Sequence, residues 1–492
     1  MQSMRRERFT RNTSLCSTSD RSRQDSLHFE YNSVYALFPF QTPMSMRKLL
    51  TQQGTASLYN FNKPMAQKLW KPITRAQDAV DALRDHTTFL TIYEDKIEPL
   101  SMKKYGFFLA FDGKEKHDQD RKMTNDAIWP PGYDDEFRLF YTKTVQKLIK
   151  EHSYKIPGSH TYVLDVVRDV GNLASVYWVA TYFGIPLKTQ KTPLGIMTPQ
   201  ELYMAVAAMF AYIFMDSFDP TGSFKLKAAA EKAANTIGRL IEARIKEIQG
   251  FSGPLELLIR GSASLVRPGP EALAMYKRLI GSGRSMEAMV SSCLGVITAA
   301  VTTQGQAFAQ SLNVFMMPEH REAFDNMQAI ASVTARDTDD MFLKYSWEGQ
   351  RLDPVAPGLP RVARTDTSAT GPDGQRMDIR AGDKVWISMT DLNNNPDIWT
   401  NPELFDVNRK PNKYTLFSVG MHNCLGSKTA NISQPVLIRE VMKLKNLRRA
   451  PGKAGTLNRF STNIYGSKTN MYFTPTYEVF PFPTTMTIMY DV

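Results

Sequence analysis

Apolar residues recur at three- and four-residue intervals over 135–152, 164–183, 199–216, 224–249 and 285–317, which predicts five long helices in the middle of the chain. The last stretch contains MEAMVSSCLGVITAAVTTQGQAFAQSLNVFM, which is nearly uncharged and apolar on every side. Such a helix is expected to run through the interior and not along the surface. Strand-like runs come late, at Asp383–Met389 and Met486–Tyr490. Turn-rich segments at 353–360 (DPVAPGLP) and 391–396 (DLNNNP) separate the last helices from these strands. The pattern predicts a mainly α fold with small β-sheets near the C-terminus. Uniform texture from Tyr31 onward points to one large domain.

Composition narrows this little. The 492 residues are 42% hydrophobic and 22% charged, which excludes collagen, a disulfide scaffold and wholesale disorder. Lys and Arg outnumber Asp and Glu by 60 to 49, for a net charge of +11. That surplus is compatible with acidic ligands or an anionic membrane surface. No element points to nucleic acid. Residues 1–28 are rich in Arg, Ser and Thr and read as a disordered basic extension, leaving 29–492 as the folded domain. The longest apolar run, Leu202–Met215, is too short for the ~20 residues of a spanning helix, and no secretory core is present. A cytoplasmic protein is therefore expected, with peripheral membrane contact left open. Cys16, Cys293 and Cys424 form no C-x-x-C pair, so reduced thiols are the default.

Cys424 stands apart. It lies in Phe417-Ser-Val-Gly420-Met-His422-Asn-Cys424-Leu-Gly426, ahead of a helix-compatible run from Ser427. Gly420 and Gly426 permit a tight loop, since glycine takes positive φ without penalty. Such a loop can aim backbone N–H groups and a helix N-terminus at the sulfur, favouring a thiolate. An inert buried cysteine is the plain alternative. A zinc site lacks a second ligand pair at workable spacing.

The loop resembles that of the cytochrome P-450 family, F-x-x-G-x-[RH]-x-C-x-G. The resemblance implies a cytochrome P-450 fold enclosing heme b, with Cys424 as the axial ligand of the iron. It implies that Phe417, Gly420, His422 and Gly426 shape the cofactor loop. Glu348-Gly-Gln-Arg351 is similar to the family's E-x-x-R helix, and Phe405-Asp-Val-Asn-Arg409 to its F-x-P-x-R element, with Val407 in place of proline. Glu348, Arg351 and Arg409 are thus expected to form a structural network. His117 and Arg121, spaced i,i+4, resemble the W-x-x-x-R cations that hold heme propionates. The resemblance gives Arg361 and His422 the same role.

On the long apolar helix, Ala299-Ala300-Val301-Thr302-Thr303 lines up with A-G-x-[DE]-T, so Thr302 stands where the acid would be. The flanks resemble a narrower group, the P-450 half of fungal psi-factor-producing oxygenases and linoleate diol synthases. Asn32–Phe40, Phe480–Thr485 and Gln304-Gly-Gln306 carry that likeness, the last against A-N-Q-x-Q, with Thr303 at the Asn position. It implies catalytic roles for Thr303, Gln304 and Gln306; hydrogen-bonded helix packing is the plain reading of these glutamines and of Gln310. It further implies rearrangement of a fatty-acid hydroperoxide without a reductase. The group's dioxygenase half has no counterpart here, so a separate dioxygenase becomes an expected partner. Two alternatives stay open: an O₂- and reductase-dependent monooxygenase on a lipophilic substrate, and a heme-binding remnant without turnover.

Overall fold

The computed structural model describes residues 70–215, 223–250, 267–333, 336–465 and, apart from 466, 476 and 478, continues to 492. The basic extension, Cys16 and the Asn32–Phe40 stretch lie outside the described residues. Among them are twelve helices of nine residues or more: α1 Ala76–Arg84, α2 Lys114–Ile128, α3 Tyr133–His152, α4 Asn172–Tyr182, α5 Pro199–Phe214, α6 Ser223–Ile248, α7 Pro270–Gly281, α8 Met286–Ala300, α9 Thr302–Phe315, α10 Arg321–Ala331, α11 Arg336–Leu352 and α12 Ser427–Met442. The start of α5 is a complete capping box, in which Thr198 and Glu201 satisfy each other's backbone N–H groups, with Pro199 at the first helical position.

The α8–α9 pair threads the centre of the molecule. It packs against α2, α5 and α6 on one half and against α4, α11 and α12 on the other. This stretch is apolar and long enough to cross a membrane by composition, yet most of it is buried in the protein. One continuous helix was expected over 285–317; the structure breaks it at Val301. Neither Gly nor Pro marks the break. The Thr303 hydroxyl donates to the Ala299 carbonyl at 2.6 Å across it.

The segment 164–183 also departs from a single helix. Thr161–Asp165 is a strand (β4), followed by a π-helical turn over Val167–Gly171 and only then by α4. The apolar run could serve either element. The bend is fixed where Asp165 accepts the Arg168 N–H at 3.0 Å and where Gly171 passes beneath Phe308, 2.5 Å from where a Cβ would sit.

Nor are the strands confined to the C-terminal end. Trp70–Ile73 (β1), Phe89–Leu90 (β2), Gly358–Ala363 (β5) and Lys384–Ser388 (β8) form a sheet of order β1-β8-β5-β2, with β1 parallel to β8. A second sheet, β3-β4-β13-β9, joins Tyr154–Lys155 (β3) and β4 to Thr487–Asp491 (β13) and Lys445–Arg449 (β9). Arg459–Ile464 (β10), Ser467–Phe473 (β11) and Val479–Phe480 (β12) make a third, and Thr367–Thr370 (β6) pairs with Arg376–Ile379 (β7). Short early strands escape the pattern because their partners lie hundreds of residues away. The helices share one large core, and the first sheet with α1 encloses a smaller one around Ile73, Leu83, Val385 and Ile387.

Candidate active site

The cysteine loop bridges these two cores. The Cys424 N–H donates to the Phe417 carbonyl at 2.9 Å, and the Asn423 N–H to Gly420 at 3.1 Å. Gly420 sits at φ +79°, and a Cβ there would lie 2.6 Å from the Leu83 carbonyl oxygen and 2.9 Å from the Arg84 Cα. Only glycine fits. Gly426 differs from expectation: its φ is −76°, so left-handed freedom is not what places it. Its N–H and that of Ser427, at the start of α12, point at the Cys424 sulfur. Burial pushes the Cys424 thiol up, while these two N–H groups and the Arg121 charge pull the other way. Yet Cys424 is exposed.

Cations gather beside it. Arg121 on α2 donates to the Asn423 carbonyl and to Asn423 Oδ1, each at 2.9 Å. One turn earlier His117, fully buried, holds Asp118 Oδ1 at 2.9 Å through Nδ1. His422 holds Asp112 Oδ1 at 3.1 Å through Nε2. The two imidazoles meet edge to face, ring centroids 5.4 Å apart. Each keeps one buried nitrogen without a hydrogen-bond partner, Nε2 of His117 and Nδ1 of His422. Burial, joined by the charges of His422 and Arg121, holds His117 below the usual histidine range despite its bond to Asp118. Arg361, on β5, is 4% exposed and donates to the neighbouring Pro360 carbonyl. Burial lowers its pKa against the opposing pull of Tyr93 and Asp112, and burial pushes the Tyr93 phenol up to about 12. Asp112 and Tyr93 carry no motif and were missed in the sequence; only the fold brings them here.

The structural network is fully paired. Glu348 accepts from Arg351 Nη2 at 2.7 Å and Nε at 2.9 Å, from Arg409 Nε at 2.9 Å, from Tyr414 Oη at 2.8 Å and from the Asp406 N–H at 3.0 Å. Both guanidiniums also cap carbonyls of the loop at 393–404, among them Pro402 and Leu404, and lie over the Trp399 ring. Val407 packs against the main core in the place of a proline.

The α8–α9 pair packs against α12, the helix that follows the cysteine loop. Within this buried stretch Val296, Ala299, Ala300 and Thr303 are the half-buried positions, and their helical spacing puts them on one face. The three glutamines diverge. Gln306, one turn beyond Thr303, donates to the Val355 carbonyl at 3.1 Å, and Gln310 to Asp353 Oδ1 at 3.2 Å. Gln304 does not join them: its side chain is taken up by Ser433 and Gln434 of α12. The amide oxygen of Gln304, expected at the site, is thus engaged by another helix. Thr302 is fully buried. The one acid between 286 and 315 is Glu287, in the first turn of α8 and ion-paired with Lys103.

Residues 285–444, which include the distal helices, the E-x-x-R pair and the cysteine loop, match the family model described as Cytochrome P450. This chain carries a cytochrome P450 domain. Among curated proteins this P450 is 32% identical over 479 residues to a bifunctional dioxygenase–epoxy alcohol synthase of Fusarium oxysporum, covering 94% of this chain and 36% of that protein. Psi-producing oxygenase A of Aspergillus fumigatus is 32% identical, at 94% and 43% coverage. The 7,8-linoleate diol synthase of Pyricularia oryzae is 26% identical, at 87% and 43%. The chain spans less than half the length of these relatives. Of solved structures, P450BioI in complex with an acyl carrier protein bearing hexadec-9Z-enoic acid superposes with a TM-score of 0.63 at 18% identity, covering 89% of this chain and 100% of that one. CalO2 gives 0.59 at 16% identity, with coverage of 89% and 99%. Both show the P450 fold.

Fold and family imply heme with cysteine thiolate ligation, and the residues of this P450 fit it. Cys424 is exposed, and next to its loop stand two imidazoles whose second nitrogens are buried and unbonded. Arg121 and Arg361 add fixed positive charge. Buried, under-neutralised cations of this kind call for anions, as two propionates would supply. Cys424 would ligate the iron, with His117, Arg121, Arg361 and His422 toward the carboxylates.

Proposed function

We propose that this P450 domain rearranges fatty-acid hydroperoxides in oxylipin metabolism, without a reductase. The observation that carries the reading is the distal wall. It leaves Val296, Ala299, Ala300 and Thr303 half-buried on one face, and Glu287 lies more than three turns from Thr303. No carboxyl group on these helices can feed protons to that face. An isomerisation needs none: both peroxide oxygens stay in the product, and no electron or proton enters from outside. Bound heme supplies a thiolate-ligated iron, suited to O–O cleavage. The chain supplies the rest. The Gly426 and Ser427 N–H groups and the α12 N-terminus stabilise the negative sulfur. Thr303 commits its hydroxyl proton to Ala299 and keeps its oxygen lone pairs on that face. Gln306, held by Val355, keeps a polar group one turn further along. The small side chains of Ala299 and Ala300 leave room for an acyl chain.

Related proteins named for dioxygenase–epoxy alcohol synthase and linoleate diol synthase activity support the substrate class. A dioxygenase, fused or separate, would deliver the hydroperoxide. The hydroxyl of Thr303 favours a second reading, a monooxygenase. Purified, heme-loaded protein given positional isomers of linoleate hydroperoxide, without oxygen or reductase, separates the two. Expected is conversion to a diol or epoxy alcohol that retains both isotope-labelled peroxide oxygens. Turnover that strictly requires NADPH, O₂ and a reductase would overturn the proposal.

A further inference from the structure

We infer that Gln304 is a positioning residue that ties the helix of Thr303 to the helix that follows the cysteine loop. Ser433 Oγ donates to Gln304 Oε1, and Gln434 Nε2 donates to the Gln304 carbonyl at 3.0 Å and to Oε1 at 3.4 Å. All three residues are buried, Ser433 and Gln434 completely. Gln304 follows Thr303 directly and lies three residues beyond the break at Val301. Ser433 and Gln434 stand on α12, whose first residue is three positions after Cys424. The clamp thus joins the helix of Thr303 to the helix that follows the cysteine loop.

Its location gives it leverage. A regular helix fixes its own geometry through the backbone ladder. Here neither helix does so at the point of contact. The distal pair is interrupted at Val301, and α12 contains Pro435, which has no N–H to give the Asn431 carbonyl. Side-chain bonds then decide how the lower half of the distal helix stands relative to the sulfur, and with it Thr303 and Gln306. Gln306 and Gln310 lean on the segment around Asp353 and Val355 and so cannot substitute. A buried hydroxyl and amide must be paired or cost stability, and within the clamp the Ser433 hydroxyl and the Gln434 NH₂ group both donate to Gln304.

The inference rests on Cys424 as the iron ligand and not on which substrate is turned over. It is tested in the holoenzyme with Gln304→Met, Ser433→Ala and the double variant. Removing one partner strands the other, whereas removing both heals the site. Each single variant should unfold at lower denaturant concentration, and the double should recover most of the loss. A packing role ends there. Positioning predicts more: the C–O stretching band of the ferrous carbonyl complex, which senses the distal wall without any substrate, should be shifted or split in the recovered double variant. A double variant with wild-type stability and a wild-type band would overturn the inference. Should Gln304→Met fail to fold, Gln434→Met removes only the bonds of that amide to Gln304, and the same band decides the matter.

Discussion

Adding a single methyl group to the cysteine loop separates its two motif glycines. At Gly420 the φ of +79° costs an alanine about 1–2 kcal/mol in the left-handed region. The new Cβ would also sit 2.6 Å from the Leu83 carbonyl and 2.9 Å from the Arg84 Cα. Those atoms are backbone of α1 and cannot rotate aside, so the loop itself must move, at an overpacking cost of about 1–3 kcal/mol. The sum, about 2–5 kcal/mol, is a large share of a typical stability of roughly 5–15 kcal/mol. The displacement travels through the Asn423 and Cys424 N–H bonds to the sulfur. At Gly426 the φ is −76° and the new Cβ would meet the sulfur at 3.6 Å, ordinary contact. There alanine should be neutral or stabilising by about 0.4–1 kcal/mol. Denaturant unfolding and the heme-to-protein absorbance ratio, measured on Gly420→Ala and Gly426→Ala side by side, check this. Equal heme content and stability in both variants would refute the reasoning.

Other outcomes follow from the same geometry. Arg409→Met strands part of the buried Glu348 charge and should cost about 3–5 kcal/mol in denaturant unfolding; a loss below about 1 kcal/mol would show that the network is not coupled. Arg121→Met loses both bonds to Asn423 and a cation beside the sulfur, so transfer of heme to an acceptor protein should speed up on the order of tenfold, or about 1.4 kcal/mol. Burial pushes the Cys293 thiol up to about 12, above its ordinary 9. Because the folded protein favours the protonated thiol, that stability is fully present below pH 9 and is lost as pH climbs toward 12. Alkylation at pH 8 followed by peptide mass spectrometry should therefore leave Cys293 unmodified until the protein is unfolded.

What the sequence made legible is what is contiguous. The cysteine loop packs its hydrogen bonds, its φ-positive glycine and its helix start into ten residues, so one motif captured them. Glu348 and Arg351, one helical turn apart, were equally plain. The partners that complete each site are not contiguous. Asp112 meets His422 across 310 positions and Ser433 meets Gln304 across 129, and neither pairing leaves a local trace. The break at Val301 was hidden for a different reason: neither a glycine nor a proline marks it. Commitment of side chains explains Gln304, which motif position placed in the chemistry and its bonds place between two helices.

The β3-β4-β13-β9 sheet also sets an order of events. Strand β4 lies between β3 and β13, and its Thr161 bonds Asp491, 330 positions further along the chain. Until the ribosome has released 487–491, β4 has only the two residues of β3 beside it, and a lone hairpin is marginal in water. An edge left open for that long invites pairing with another nascent chain. Closure of this sheet should be the slow, aggregation-exposed stage of biosynthesis, relieved by slower synthesis at low temperature.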